Sequence, residues 1–128
     1  MKQLTKAFTF VELLVVMTIV GIIFAITTVT YSNITKNSRD ARRKADMESI
    51  RQALELCRSY SGTYIAASSG FIPTTISCGS PAVVYMQIVP TDPKTPATRY
   101  TYSTTGTAYT LSTSAMEVGT ATYTVTNP

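Results

Sequence analysis

The sequence predicts an α+β fold in which a long N-terminal helix packs on a small antiparallel β-sheet. Three observations predict it. A nearly uncharged apolar run begins at Phe8, a polar segment with apolar residues at helical spacing follows from Asn33, and short alternating patterns with turn signals fill the C-terminal third. With 128 residues and a formal net charge of +4, the chain has room for one domain.

The apolar run from Phe8 to Val29 is long enough to cross a bilayer, which requires about 20 mostly apolar residues. Lys2 and Lys6 precede it, and the next basic residue is Lys36. Positive charge close to the N-terminal end holds that end in the cytoplasm, so the rest of the chain is predicted to be exported. A cleaved secretory signal is the alternative, but the residues after Ala25 form a poor small-residue cleavage site.

Glu12 is the only charged side chain between Phe8 and Thr35. A charged carboxylate at the centre of a membrane helix costs roughly 2.5 kcal/mol or more, so an ionisable residue beside a span is a functional candidate. The alternative is that Glu12 reaches the headgroup region because it lies near one end of the run. A simple anchor would be better served by Leu at this position.

The residues from Lys6 to Val16, with the sequence KAFTFVELLVV, resemble the N-terminal signature of type IV pilins and type II secretion pseudopilins. In that family a prepilin peptidase removes a short basic leader on the cytoplasmic side, and the new N-terminal Phe is N-methylated. The resemblance implies a leader over residues 1–7, cleavage between Ala7 and Phe8, an N-methylated Phe8, and Glu12 as the fifth residue of the mature chain. The family nearly always has Gly before the cut, so Ala7 predicts slower processing.

The resemblance also implies a pilin-like fold and a structural function. The chain is expected to polymerise into a type IV pilus or pseudopilus-like filament through its N-terminal helix. Glu12 and Phe8 are the expected assembly residues, because a carboxylate buried among apolar helices needs a partner and the amine on Phe8 of a neighbouring copy provides one.

The partners implied by the resemblance are copies of the chain, other pilins, the prepilin peptidase and an inner-membrane assembly platform. The implied location of the precursor is the inner (cytoplasmic) membrane, with its N-terminus cytoplasmic. The assembled protein is expected at the cell surface as an extracellular filament. The alternative function is a monomeric, membrane-anchored module that binds a ligand outside the cell with its small sheet.

Residues 8–32 are predicted as the transmembrane and filament-core half of the helix, and residues 33–61 as its amphipathic half. Opposite charges four residues apart predict local support for this second half: Asp40/Lys44, Arg42/Asp46, Lys44/Glu48 and Arg51/Glu55. One apolar face is predicted to pack on the globular part: Met47, Ile50, Ala53, Leu54, Cys57 and Tyr60.

A second face of this half carries small residues with apolar ends. It is either an ordinary solvent face or a surface that packs against helices of other subunits: Ile34, Ser38, Ala41, Ala45, Ser49, Gln52 and Leu56. The basic residues of the same half alternate with acidic ones, which favours a solvated or intersubunit helix over DNA binding: Arg39, Arg42, Arg43, Lys44, Arg51 and Arg58.

Residues 62–128 are predicted as a globular part that combines a loop with an antiparallel meander. Gly62 is the candidate helix C-cap, and residues 63–82 are predicted to form a surface loop. Strands are predicted from Val83 to Val89, over residues 99–104 and 107–112 around a Thr105-Gly106 turn, and at the edge over 115–118 and 120–125. The side chains predicted to face inward are Tyr100, Tyr102, Tyr109 and Leu111.

Cys57 and Cys78 are predicted to form a disulfide, since an exported chain meets an oxidising compartment; two buried free thiols are the alternative. The chain contains no His and no Trp, which excludes Ser-His-Asp and Cys-His catalysis and any zinc site that needs His. After Tyr60 only Asp92 and Glu117 are acidic, too few for an oxygen-rich calcium site. No catalytic, cofactor-binding or metal residue is therefore predicted, and the chain is not expected to be an enzyme.

Overall fold

A computed structural model describes residues 8–127, without the side chains of residues 28–30. The predicted leader, including Ala7, lies outside the described residues. The fold class is the predicted one, since one long N-terminal helix is followed by small antiparallel sheets. The chain divides into two compact units, Met1–Thr35 and Lys36–Pro128. The helix contributes to both units, and the sheets belong to the second.

The single helix, α1, spans Phe10–Ser61 and contains 52 residues. It begins two residues later than the predicted apolar half. It ends where predicted, because Gly62 adopts a φ of 81° and its N–H donates to the carbonyl of Arg58 at 2.7 Å. This left-handed conformation is accessible to Gly at little cost, which makes Gly62 an effective C-cap.

The strands form two antiparallel sheets. β1 (Ile76–Cys78) pairs with β2 (Val83–Met86), and β3 (Thr101–Thr104), β4 (Tyr109–Thr113) and β5 (Tyr123–Thr126) form a meander in that order.

The prediction of one sheet after an irregular loop was wrong. β1 lies inside residues 63–82, where Ile76 and Cys78 are buried and Ser77 is exposed. Residues 115–118 are not a strand, because the N–H groups of Glu117 and Val118 donate to the carboxylate of Asp40. A loop held by a side chain of α1 replaces this segment of the predicted edge, whereas the segment predicted over residues 120–125 overlaps β5.

The core of the Lys36–Pro128 unit lies between one face of α1 and both sheets. The predicted helix face is buried from Met47 to Cys57, and the four residues predicted to face inward from the sheet are buried too. The other buried apolar residues come from the region before β3: Tyr64, Ile72, Ile76, Cys78 and Val89.

Tyr60 departs from the prediction, since 52% of it is exposed. Its ring lies over Gly79, where an added Cβ would overlap the ring, and 6.5 Å from the ring of Tyr85. Tyr60 therefore covers the edge of the core instead of entering it.

None of the four predicted i,i+4 charge pairs forms an ion pair in the described part of the chain. The carboxylates bond elsewhere: Glu48 pairs with Arg51, Asp46 accepts from the hydroxyl of Tyr100 at 3.1 Å, and Glu55 accepts from that of Tyr64 at 2.9 Å. Two of these carboxylates bond to tyrosines outside α1, and Glu48 bonds to a residue three positions along the helix.

Candidate assembly site

Thr9 caps the N-terminus of α1. The N–H of Glu12 donates to Thr9 Oγ1 at 3.3 Å, and the N–H of Leu13 donates to the Thr9 carbonyl at 3.2 Å. Glu12 therefore lies in the first turn, where a carboxylate interacts favourably with the helix macrodipole. Thr9 was not predicted as a cap, although Thr-x-x-Glu before an apolar run is the sequence signature of a capping box.

The apolar half of α1 forms a candidate membrane span. An 18-residue window of the helix has a mean hydropathy of 2.6, and none of that window is buried within the chain. Large apolar side chains are exposed around the helix, from Phe10 at 78% to Ile26 at 64%. A helix that is apolar all round requires lipid or other apolar helices as its surroundings.

Two threonine hydroxyls of this half are bonded to the helix backbone. The hydroxyl of Thr18 donates to the carbonyl of Val15 at 2.7 Å, and that of Thr27 donates to the carbonyl of Ile23 at 2.8 Å. In a medium without water, such bonds to the helix backbone remove the cost of an unpaired hydroxyl.

The second helix face is exposed among the residues that the structure describes. Ile34 is 58% exposed, and in the Lys36–Pro128 unit every other member of this face is exposed. Both interpretations, a solvent face and an intersubunit surface, require this exposure.

Comparison with known families identifies the N-terminal segment. Residues 3–28 match the model described as the prokaryotic N-terminal methylation motif. The chain carries this methylation motif. It is the class III signal of type IV pilins and pseudopilins, and together with the apolar helix it indicates a membrane-anchored precursor. No curated protein and no solved structure matches the chain.

Two predicted site residues of the methylation motif are described. Phe8 is 80% exposed and precedes the helix by two residues, and Glu12 lies one turn further along. Ala7 lies outside the described residues. The proposed pairing of Glu12 with an amine joins two copies, so it stays a prediction.

Beyond the methylation motif, a disulfide joins Cys57 and Cys78, whose Cα atoms are 5.7 Å apart. It connects the last turns of α1 to the end of β1 across 21 positions of sequence. The predicted pairing is therefore present, and both cysteines are buried.

A buried charge cluster around Arg43 was not predicted from the sequence. Arg43, expected on a solvated or intersubunit surface, is completely buried. Its guanidinium donates to Asp92 at 2.6 and 3.1 Å, to Asp40 at 2.7 Å and to Glu117 at 3.3 Å. Arg39 adds a bidentate pair with Glu117, with both distances 2.7 Å.

These contacts shift the titration of the carboxylates. Hydrogen bonds from Arg39 and Lys94 lower the pKa of Glu117 to about 2. Hydrogen bonds from Arg43, and from the N–H groups of Thr95 and Lys94, hold the pKa of Asp92 far below its usual range. Burial alone would raise the pKa of Asp40, but bonds from the N–H groups of Glu117 and Val118 and from Arg43 lower it.

The cluster holds two loops on α1. Asp92 also accepts bonds from the N–H groups of Lys94 and Thr95, at 2.8 and 2.9 Å, which orders the turn that carries it. Asp92 and Glu117, the only acidic residues after Tyr60, therefore both bond to Arg43 in this cluster. Among the described residues, no group of three or more His, Cys, Asp and Glu side chains is placed to hold a metal ion.

Proposed function

We propose that this chain is a structural subunit of a type IV pilus or pseudopilus-like filament, made as a membrane-anchored precursor. The observation that carries the proposal is the methylation motif over residues 3–28, which continues into an apolar helix with one carboxylate, Glu12. The family of proteins with this motif is structural, which supports a structural and not an enzymatic function.

In this proposal a prepilin peptidase cleaves between Ala7 and Phe8, and Phe8 is then N-methylated. α1 begins at Phe10, so the new amino group would lie two residues before the helix. A positive amine at this end opposes the helix macrodipole, which is itself positive there. A carboxylate from another copy would relieve this repulsion, and Glu12 is the acidic residue closest to the proposed cleavage site.

Assembly follows from the same helix. Its exposed apolar surface is compatible with lipid, and equally with the apolar helices of other copies. Transfer from an inner-membrane assembly platform into a filament would bury Glu12 at low dielectric, where an unpaired carboxylate is costly and a paired one is tolerated. The pairing therefore favours one axial stagger between copies. The exposed second helix face provides further contact area.

The test is the substitution Glu12→Ala in cells that express the assembly machinery, with Val16→Ala as a control on the same helix. Glu12→Ala should leave membrane insertion unchanged and abolish or strongly reduce sheared filaments seen by electron microscopy. Val16→Ala should assemble normally. The mass of the mature chain would locate the cleavage site and the methyl group.

Filaments of normal yield and register from Glu12→Ala would contradict the proposed function of Glu12. A wild-type chain that still begins at Met1 and remains single in the membrane would contradict the filament itself. That result would favour the alternative, a monomeric membrane-anchored binding module.

A further inference from the structure

The outer face of the β3–β4–β5 sheet is a regular array of hydroxyl groups. The strand registers place Thr101 opposite Ser112 and Ser112 opposite Thr124 in one row. They place Ser103 opposite Thr110 and Thr110 opposite Thr126 in the next row. Every outward position of these pairs is therefore Ser or Thr, and the buried positions between them include Tyr102 and Leu111.

The six hydroxyls of this array are free to bind a ligand. None of them makes a hydrogen bond within the described part of the chain, and all are exposed except Ser112, which is partly exposed. Neighbouring strands lie about 4.8 Å apart, and side chains on one face repeat about every 6.8 Å along a strand. The array therefore presents donors and acceptors on a fixed two-dimensional grid.

The array has a concave end and an aromatic corner. A cavity of about 240 Å³ lies at the second row, lined mainly by Ser, Thr and Asn residues that include Ser103, Thr110 and Asn127, together with Ala108 and Tyr109. At the other row, Phe71 pairs with Thr101, which puts its partly exposed ring on the same face. The guanidinium of Arg99 lies 5.4 Å from the centroid of that ring.

The chemistry of the face restricts its partner. Strand propensity favours Thr at exposed positions, but it does not exclude Lys or Glu, and none of the chain's 18 acidic and basic residues falls within the array. Nucleic acid and anionic lipid need several cations, whereas the cation found beside the grid is Arg99, at the ring of Phe71. Binding to an apolar protein surface or to lipid tails would require apolar side chains across this face.

We propose that this outer face is a binding site for a polysaccharide. The grid of hydroxyls would exchange hydrogen bonds with the repeated hydroxyls of a sugar chain, and the ring of Phe71 would cover the apolar face of one sugar. The cavity is smaller than the roughly 300–1,000 Å³ pockets that enclose drug-sized ligands, which suits one ring of an extended polymer lying across the sheet. Each neutral hydrogen bond contributes little by itself, so binding depends on their number.

The experiment uses the full chain, purified in a detergent without a sugar headgroup. It is sedimented with microcrystalline cellulose, chitin powder and insoluble amylose, and with polystyrene beads as a non-sugar control. The array variant combines Ser103→Ala, Thr110→Val and Thr126→Val. A matched variant removes two Thr and one Ser hydroxyl elsewhere on the surface: Thr74→Val, Ser114→Ala and Thr120→Val. Equal melting temperatures of both variants establish that the fold is retained.

The wild type and the matched variant should sediment with at least one of the three polysaccharides and not with polystyrene. The array variant should bind about tenfold more weakly or worse. Failure of the wild type to bind any of the three, or equal binding of the array variant, would overturn the proposal. Sugar masses attached to the array hydroxyls in protein from its native cells would overturn it too, since the face would then be an acceptor of glycans. Because single chains are tested, the outcome does not depend on filament formation.

Discussion

Tyr109 has an unpaired buried hydroxyl, unlike the other core tyrosines. Its oxygen has no hydrogen-bond partner among the described residues. Tyr64 donates to Glu55, Tyr100 donates to Asp46, and Tyr102 donates to the carbonyl of Ile65 at 3.0 Å. A buried polar group without a partner costs about 1–3 kcal/mol, whereas a satisfied one contributes about 1 kcal/mol.

The substitution Tyr109→Phe should therefore leave the free energy of unfolding unchanged or raise it by about 1 kcal/mol. Tyr102→Phe, its matched control on the neighbouring strand, should lower it by about 1 kcal/mol because the Ile65 carbonyl loses its donor. Urea unfolding of the full chain in detergent, followed by circular dichroism, measures both. Equal destabilisation by the two substitutions would show that the Tyr109 hydroxyl is bonded.

The adjacent residues Arg42 and Arg43 provide a second comparison. Arg43→Met leaves buried carboxylates without their cation and should cost about 3–5 kcal/mol of unfolding free energy. Arg42 is exposed, so Arg42→Met should change it by less than about 0.5 kcal/mol. Thermal melting of the two variants is the measurement. A small effect of Arg43→Met would mean that the cluster contributes little to stability.

At the scale of single residues, the sequence predicted which apolar side chains are buried, but it did not predict which charged side chains are buried. The alternation in the strands placed Tyr100, Tyr102 and Tyr109 inside, and the structure confirms it. Arg43 was missed because its partners Asp92 and Glu117 lie 49 and 74 positions away. Spacing rules report neighbours on the same element, whereas ion pairs between a helix and distant loops depend on the completed fold.

At the scale of elements, α1 was predictable and β1 was not. A 52-residue helix repeats its pattern many times and ends at a glycine. β1 has three residues, too few for an alternation to stand out from a loop rich in Ser, Thr and Gly. Its strand conformation depends on pairing with β2, which is a tertiary contact.

The disulfide connects these two elements, and its removal tests how far it stabilises them. A closed loop of this length contributes about 3 kcal/mol in the chain-entropy model. The double substitution Cys57→Ser, Cys78→Ser should lower the free energy of unfolding by about this amount. The oxidised wild type should weigh about two daltons less than the reduced chain. If reduction changes neither mass nor melting temperature, the two cysteines are free thiols.

At the scale of the whole molecule, charge is segregated along the sequence. Residues 59–91 contain no charged side chain. The ion pairs between α1 and the rest of the Lys36–Pro128 unit therefore come from two carboxylates that follow this segment, those of Asp92 and Glu117. The pH dependence of the stability of this unit is therefore expected to come in large part from the cluster that Arg43 forms with Asp40, Asp92 and Glu117.

Acid should therefore destabilise this unit by protonating the carboxylates of the cluster. The pKa of Glu117 is lowered to about 2 and those of Asp92 and Asp40 are lowered too, so the unfolded chain binds more protons than the folded one. The stabilisation is complete above about pH 5 and is lost as the pH falls toward 2. Melting temperatures measured from pH 7 to pH 2 should show this loss. Glu117→Gln should melt lower at pH 7 and change less with acid; an equal slope would contradict this assignment.

The methylation motif was predictable from the sequence, whereas the geometry of assembly was not. The signature from Lys6 to Val16 indicated the methylation motif, which the family match over residues 3–28 confirms. The functions proposed for Phe8 and Glu12 require a second copy, and a single chain cannot position it. The hydroxyl array could be predicted from the sequence only one strand at a time, because its rows exist only once three strands are in register.

The tyrosine-rich core gives this protein an optical signature. The chain contains eight Tyr and no Trp, so its ultraviolet emission comes from phenol rings without energy transfer to indole. Tyr64, Tyr100, Tyr102 and Tyr109 are buried in the Lys36–Pro128 unit. The intrinsic fluorescence of unlabelled protein therefore reports on the state of that unit even when the rest of the chain is embedded in detergent.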